Sequence, residues 1–319
     1  YSIPGLPLIG KSSFANTLVK GNKRVPSPAK GIIACLIIQM FYLLKLFIQM
    51  KIILNKDDLN EALYNVKNLG FVPTMGSLHK GHISLIKKSK KICNKTIVSI
   101  FINPTQFNNK ADFFKYPRNF KKDIKILKKL NVNFVFIPNK EQVYNSKKTK
   151  KIKLLKSQKI LCAKYRKGHF EGVIDVMDRL TKIIKPKKIF MGEKDFQQLY
   201  LVKKYIEKKY DSKIIPCKTI RDNNSIAFSS RNLNIRKSQL IKAAKLTKEL
   251  INFKKSLKIK KKIVKNINQK KKELSQKYKV KIEYLELRNK MNLVKSNNIN
   301  NSNLFFAYYV NNIRLIDNV

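Results

Sequence analysis

One stretch, residues 71–86 (FVPTMGSLHKGHISLI), places the strongest limit on how this chain can fold. A short apolar run ends at Pro73, Gly76 marks a turn, and an apolar-periodic segment follows Gly81. This order predicts a strand, a tight turn and the start of a helix. Because the free N–H groups and the positive dipole end of a helix attract phosphate, the turn is a candidate anion-binding site.

Two of the three histidines in the chain, His79 and His82, fall in this turn. Imidazoles can donate hydrogen bonds to a phosphate, and Gly76 and Gly81 let the backbone approach a ligand closely. The alternative is a strand-to-helix turn whose histidines only complete the helix cap. The short pattern H-x-G-H does not by itself decide between the two.

The longer string T-x-G-x-L-H-x-G-H after a strand is far more specific, and it resembles the phosphate-binding signature of the nucleotidyltransferase superfamily. With the flanking VPTMG, the chain is similar to the pantothenate synthetase (pantoate–beta-alanine ligase) family. The resemblance implies ATP contacts throughout the turn, at Met75, Gly76, Ser77, Leu78, His79, Lys80, Gly81 and His82.

Residues 96–102 (TIVSIFI) predict a strand that is buried on both faces of a parallel sheet. The strand leads into residues 103–107 (NPTQF), which resemble a motif of the same family. Open α/β sheets bind ligands at the carboxyl ends of their strands. The resemblance implies that Gln106 binds pantoate and beta-alanine, and the alternative is a glutamine that only orders the loop.

Residues 112–118 (DFFKYPR) match a family segment that ends in Tyr-Pro-Arg, so we expect Arg118 to hold its loop by hydrogen bonding. Asp123 stands where the family has an acid near the Mg²⁺-nucleotide, which makes Asp123 the candidate metal ligand. A solvated acid on a helix is the alternative.

Two further motifs, residues 166–173 (RKGHFEGV) and 192–199 (GEKDFQQL), are similar to family motifs. The resemblance implies that Arg166 reaches an ATP phosphate, that His169 and Phe170 shape the site, and that Gln198 binds pantoate. It also implies ATP contacts at the strand-to-helix turn of the second motif, from Gly192, Glu193, Lys194 and Asp195.

Residues 225–232 (SIAFSSRN) resemble the AMSSRN loop of the family, with Ser225 and Phe228 where glycine and methionine are expected. Two hydroxyls and a guanidinium can gather around the β- and γ-phosphates as charge builds on the leaving pyrophosphate. The implied ATP contacts of this region are Ile220, Phe228, Ser229, Ser230 and Arg231.

Alternating strands and helices predict an α/β fold, a doubly wound, Rossmann-like parallel sheet with a smaller α+β C-terminal domain. The expected division is residues 1–49 as an extension, 50–223 as the ATP- and pantoate-binding domain, and 224–319 as a lid domain. Local expectations are a helix that Asp57 caps, a helix from about Val173 to Ile184, and mostly loop with a short strand over residues 139–161.

Residues 1–49 differ from the rest, because residues 32–50 form an apolar run long enough to span a bilayer or to serve in a signal peptide. Three interpretations stay open: a targeting or anchor segment, a non-native upstream extension, and a buried helix. The extension is preferred because Met50 begins MKIILNKDDLNEAL, which resembles the usual start of the family.

The composition excludes some classes of protein. With 43% apolar residues the chain is not disordered by composition. The net charge of +51 comes nearly all from lysine, so solvated lysine faces are favoured over a specific nucleic-acid site, which would require arginine. Cys35, Cys93, Cys162 and Cys217 form no C-x-x-C or Cys/His cluster, which favours a reducing compartment such as the cytoplasm.

The resemblance implies that the chain joins pantoate to beta-alanine at the expense of ATP, through a pantoyl adenylate. Catalysis would depend on His79, His82, Lys194, Arg231 and Mg²⁺, and homodimers are common in the family. The alternatives are a cytidylyl- or adenylyltransferase for another small acid or alcohol, a basic nucleic-acid-binding module, and a weakly active relative.

Overall fold

Buried apolar strands build a six-stranded parallel sheet. The computed structural model describes residues 50–107, 110–144, 152–257 and 263–319. The strands are β1 (Lys51–Ile53), β2 (Leu69–Thr74), β3 (Lys95–Ile100), β4 (Phe134–Phe136), β5 (Lys188–Gly192) and β6 (Lys213–Cys217). They lie in the order β1-β4-β3-β2-β5-β6, and each neighbouring pair is parallel. The predicted α/β architecture is confirmed.

Helices cover both faces of this sheet. In chain order the helices of this part of the chain are α1 (Lys56–Leu63), α2 (Lys80–Ile92), α3 (Lys110–Lys115), α4 (Phe120–Lys129), α5 (Lys140–Tyr144), α6 (Leu161–Tyr165), α7 (His169–Ile184) and α8 (Phe196–Lys209). Successive strand residues point to opposite faces, so Phe71 packs in one core with α1, α7 and α8, while Val72 packs in another with α2 and α4. Burial on both sides explains why the strands are continuously apolar.

The strand order reverses next to β2. From β2 the chain continues to β3 and β4 on one side, and β5 and β6 lie on the other. At such a switch point the connections leave toward opposite faces of the sheet and open a crevice at the carboxyl ends of the strands. Strand β2 ends at Thr74 and β5 ends at Gly192, so the motifs that follow these two strands meet at this crevice.

The rest of the described chain forms a second, smaller layer. It contains α9 (Lys237–Ser256), α10 (Ile263–Tyr278), β7 (Lys281–Asn289), β8 (Ser302–Val310) and β9 (Ile313–Asn318), with the three strands antiparallel in that order. Phe306 and Tyr308 pack against α9 and α10, whereas Tyr284 and Phe305 pack against α6, α7 and α8. Residues 50–319 form one compact unit, and the boundary at residues 223 and 224 stays a prediction.

Three local expectations differ from the structure. Asn55, not Asp57, caps α1, because its side chain accepts the N–H of Asp58. Helix α7 begins at His169, four residues earlier than predicted, directly after Gly168 with a φ of 80°. The described part of residues 139–161 holds helical turns and no strand, so the predicted short strand is not found there.

The apolar run at residues 32–50 lies almost entirely outside the described residues, so its three interpretations stay open. Within the part of the chain that the structure describes, no helix has both the length and the apolar character that a membrane crossing requires.

A buried ion pair offers a test of the smaller layer. Arg314 Nε lies 3.1 Å from Glu283 Oε2, and the side chains are 16% and 7% exposed. We expect Arg314→Met to lower the free energy of unfolding by about 3 kcal/mol, because the Glu283 carboxylate would stay buried without its cationic partner. Urea unfolding measures this change.

Lys187→Met is the matched control, because its partner Asp211 is 84% exposed. The control should leave the free energy of unfolding nearly unchanged, because water and salt screen an exposed ion pair. If both variants lost the same free energy of unfolding, burial of the Arg314–Glu283 pair would not explain its contribution to stability.

Candidate active site

A cavity of about 270 Å³ lies at the carboxyl ends of β2 and β5. Its wall brings together most of the predicted ligand contacts: Met75, His79, Gly81, His82, Gln106, Arg166, Gly192, Lys194, Asp195, Gln198, Ile220, Phe228, Ser229, Ser230 and Arg231. Six predicted residues lie outside the wall: Gly76, Ser77, Leu78, Lys80, Asp123 and Glu193. Motifs that are up to about 150 residues apart in sequence therefore share one crevice, as expected at a switch point.

The two histidines of the turn have a defined tautomer. His79 Nδ1 accepts the N–H of Gly81 at 3.1 Å, and His82 Nδ1 accepts the N–H of His79 at 3.4 Å. A neutral imidazole carries one proton, so in both rings that proton must be on Nε2. The helix-cap and phosphate-binding interpretations are therefore compatible with each other, because capping uses Nδ1 and leaves an Nε2–H donor for a ligand.

Both rings are neutral at physiological pH. Burial and the nearby Lys194 ammonium lower the pKa of His79 to about 4, and burial and the neighbouring His79 lower the pKa of His82 to about 3. The ring centroids are 4.0 Å apart, so two imidazolium ions would also repel each other. The sequence left open which form is present, and the structure favours the neutral one.

Asp123 accepts hydrogen bonds from the backbone of the turn. It is 2% exposed, and its two carboxylate oxygens accept the N–H groups of Ser77 and Leu78, each at 2.7 Å. The alternative of a solvated helix acid is therefore wrong. Since Asp123 is outside the cavity wall, its contacts favour a role in fixing the turn, and its predicted role as a metal ligand stays untested.

The Asp123 carboxylate also explains the shape of the turn. Ser77 has a φ of 53°, a left-handed conformation that is uncommon for a residue with a side chain. Gly76 has a φ of 79°, and a Cβ there would lie 3.0 Å from Asp123 Oδ2. The two N–H groups of Ser77 and Leu78 are thus already bonded, whereas the Nε2–H groups of His79 and His82, two residues of the cavity wall, are available to a ligand.

Three cationic side chains from separate segments contribute to the wall. Lys194 Nζ lies 3.4 Å from Asp195 Oδ1, and Arg231 Nη2 lies 3.2 Å from Asp112 Oδ2. Arg166 makes no ion pair with a carboxylate of the described residues, and burial together with the nearby Arg231 lowers its pKa to about 10. A partly buried cation without a counterion favours an anionic ligand.

The third histidine, His169, connects two predicted ligand contacts. Its Nε2 accepts from the Arg166 guanidinium at 2.7 Å, so its Nδ1 carries the proton and donates to the carbonyl of Gln106 at 2.6 Å. Burial and Arg166 lower the pKa of His169 to about 3. His169 is therefore a neutral link between Arg166 and the backbone of Gln106, and its role in shaping the site stays a prediction.

The two glutamines lie on the same cavity wall. Gln106 Oε1 accepts from Asn103 Nδ2 at 3.3 Å, and Asn103 Nδ2 also donates to the carbonyl of Gly172 at 3.1 Å. A Cβ at Gly172 would lie 2.5 Å from the carbonyl oxygen of Thr105, so only glycine lets α7 approach this loop. Asn103 was not predicted as a site residue, although its place at the start of NPTQF was a usable signal.

The loop at residues 225–232 closes onto the first turn. Ser230 Oγ donates to the carbonyl of Ser77 at 3.2 Å. Phe228, which departs from the family pattern, has its ring 6.4 Å from the ring of His79 and 5.6 Å from Lys80 Nζ. The larger side chain thus packs on the histidine turn.

Other expectations concern the loop before α4 and the metal. Arg118 donates to the carbonyls of Phe113 and Phe114, at 3.1 and 3.3 Å, which confirms its predicted role in the loop. Among the residues that the structure describes, no group of three or more His, Cys, Asp and Glu side chains could hold a metal ion.

The histidines predict how stability depends on pH. An unfolded histidine has a pKa near 6.5, whereas burial holds all three below it in the folded chain. As the pH falls below about 6.5 the unfolded chain binds protons that the folded chain does not, so stability decreases. Between about pH 7.5 and about pH 5.5 we expect a loss of up to about 1.4 kcal/mol per histidine, measured by urea unfolding.

His79→Asn keeps a side chain that can cap α2 but does not titrate. Its stability should therefore fall less steeply over the same pH range than that of the original chain. Identical pH dependence in both proteins would show that the His79 imidazole is not held in its neutral form by the fold.

Known proteins have sequences similar to that of this chain. The pantothenate synthetase of Flavobacterium psychrophilum is 38% identical over 274 residues, which cover 83% of this chain and 95% of that protein. A bifunctional pantoate ligase/cytidylate kinase of Prochlorococcus marinus is 42% identical over 279 residues. That match covers 84% of this chain but only 54% of the bifunctional protein.

Solved structures agree with the fold. The pantoate-beta-alanine ligase of Francisella tularensis, solved in complex with beta-gamma ATP and beta-alanine, has a TM-score of 0.73 and 35% identity. The match covers 85% of this chain and 97% of that one. The pantothenate synthetase of Thermus thermophilus has a TM-score of 0.78 and 25% identity, with 85% and 99% coverage.

The sequence match is also continuous along the described fold. A family model for pantoate-beta-alanine ligase matches residues 51–319, from β1 through β9 and therefore through every motif that lines the cavity. The chain thus belongs to the pantoate–beta-alanine ligase family.

Proposed function

We propose that this chain condenses pantoate with beta-alanine at the expense of ATP, giving pantothenate, AMP and pyrophosphate. The observation that carries the proposal is the single cavity wall, which combines neutral histidine donors, cations and two carboxamides. Such a wall suits a triphosphate beside a small carboxylic acid. The Francisella relative was solved with beta-gamma ATP and beta-alanine, which correspond to two of the three proposed substrates.

In the first half-reaction a pantoate carboxylate oxygen attacks the α-phosphorus of ATP. A P–O bond forms to give pantoyl adenylate, and the bond from the α-phosphorus to the bridging oxygen breaks, which releases pyrophosphate. Negative charge grows on the leaving phosphates. The Nε2–H groups of His79 and His82 and the cations of Lys194, Arg166 and Arg231 can stabilise that charge without rearrangement.

In the second half-reaction the neutral amine of beta-alanine attacks the acyl carbon of the adenylate. An amide bond forms, AMP leaves with the electron pair of the broken C–O bond, and the nitrogen loses a proton. Gln106 and Gln198 provide amide donors and acceptors on the same wall. Because no covalent enzyme intermediate is required, catalysis can depend on positioning and charge neutralisation.

Mg²⁺ fits this site only as a partner of the nucleotide. Magnesium in such sites is commonly held by one or two carboxylates plus substrate phosphates. Asp195 is a carboxylate of the cavity wall, whereas Asp123 is engaged by two backbone N–H groups. Bound with ATP, the ion would neutralise phosphate charge, and Asp195 is the residue that would hold it.

Three further proposals accompany this function. Residues 50–223 form the ATP- and pantoate-binding domain, and residues 224–319 form a lid. The protein acts as a homodimer, which the family resemblance alone supports. It works in the cytoplasm, which is supported by the free, buried thiols of Cys93, Cys162 and Cys217.

The proposal is tested by measuring AMP release from ATP, with the chain starting at Met50. AMP formation should require both pantoate and beta-alanine. Lys194→Ala and His82→Ala should each lower turnover by about a hundredfold or more, because each removes one group that stabilises the transition state.

Lys187→Ala is the matched control, since this exposed lysine lies just before β5 and outside the cavity wall. It should keep near-normal turnover. The proposed reaction would be contradicted if AMP were released equally without pantoate, or if the Lys194→Ala variant kept normal turnover.

Asp123 gives a second test, which separates its two candidate roles. Asp123→Asn keeps the shape of the side chain but can accept fewer hydrogen bonds from the turn. If Asp123 fixes the turn, KM for ATP should rise by about tenfold, and additional Mg²⁺ should not reverse the change. Recovery of the normal KM at raised Mg²⁺ would instead assign Asp123 to the metal.

A further inference from the structure

Asn318, at the end of β9, forms side-chain hydrogen bonds with the turn that carries Lys194. Its side-chain Nδ2 donates to the carbonyl of Glu193 at 2.8 Å and to the carbonyl of Lys194 at 3.0 Å. Asn318 is 6% exposed, so these bonds are shielded from water. One amide group thus binds the peptide carbonyls on both sides of Lys194.

This contact restricts the direction of the Lys194 side chain. The carbonyl of Glu193 fixes the peptide plane before Lys194, and the carbonyl of Lys194 fixes the plane after it. With both planes held, the backbone dihedral angles at Lys194 have little freedom. The turn has no other side-chain cap, because neither Gly192 nor Asp195 makes one.

The amide itself is held in one orientation. Asn303 Nδ2 donates to Asn318 Oδ1 at 2.8 Å, so the oxygen faces Asn303 and the two N–H donors face the turn. Arg221 donates to the Asn318 carbonyl at 3.1 Å and to both carboxylate oxygens of the buried Asp317. The end of β9 is therefore anchored through Asn303 and Arg221, neither of which lines the cavity.

We propose that Asn318 is a positioning residue for phosphoryl chemistry, because its amide binds the backbone on both sides of Lys194 and so aims the ammonium at the phosphates. This inference rests on the proposed function. Asn318 does not line the cavity and acts only through Lys194. Its donors are essential to the role, so aspartate, which has the same shape, cannot replace it.

Two variants test the inference. Asn318→Asp replaces the two donors with an oxygen, and Asn318→Ala removes them without adding a charge. Both should lower kcat/KM for ATP by about 10- to 100-fold, because a displacement of about 1 Å in a positioned group costs this much. Asn312→Asp makes the same chemical change at an exposed site between β8 and β9 and should leave activity unchanged.

A double-mutant cycle separates positioning from a general structural effect. In a Lys194→Ala background, Asn318→Ala should cause no further loss of kcat/KM, since the ammonium group that Asn318 positions is already absent. Losses that multiply in the double variant would overturn the inference. So would normal activity of Asn318→Ala.

Calorimetry of ATP binding tests the role of Asn318 separately from the proposed reaction. Asn318→Ala should weaken ATP binding in the original chain and have no further effect in the Lys194→Ala background. An original chain that binds ATP but forms no pantothenate would overturn the proposed reaction, while the binding cycle would still decide the role of Asn318. A chain that does not bind ATP would overturn both.

Discussion

The parallel arrangement of β2 and β5 is the constraint on which the site depends. Parallel strands end at the same edge of a sheet, and these two neighbours send their connections to opposite faces. The histidine turn after β2 and the Lys194 turn after β5 are therefore brought together by topology, although more than one hundred residues separate them. Local interactions then set the direction of each side chain.

Those local interactions place neutral donors among cations. The cavity wall already holds the cations of Lys194, Arg166 and Arg231, so additional imidazolium ions would be costly. Bonding through Nδ1 keeps His79 and His82 useful as donors without adding charge. The same chain thus uses charge for long-range attraction of phosphate and neutral N–H groups for short-range contact.

The sequence predicted the features that depend on neighbours along the chain. Apolar runs predicted the buried strands, and the turn at residues 75–82 predicted where a phosphate would bind. Contacts between distant residues could not be predicted in this way. The bonds from Asp123 to Ser77 and Leu78, and from Asn318 to the Lys194 turn, join segments with no common pattern. The tautomers of the histidines also required the positions of their partners.

Arg166 and Arg231 line the same cavity, and their interaction has a consequence for the order of events. The two guanidinium groups repel each other, and this repulsion contributes to the lowered pKa of Arg166. An anion bound near both groups offsets that repulsion, and the more so the higher its charge. Under the proposed reaction, the cations of the wall should stabilise bound ATP the most and bound AMP the least. The protein would therefore discriminate against its own nucleotide product, which favours exchange of spent AMP for fresh ATP.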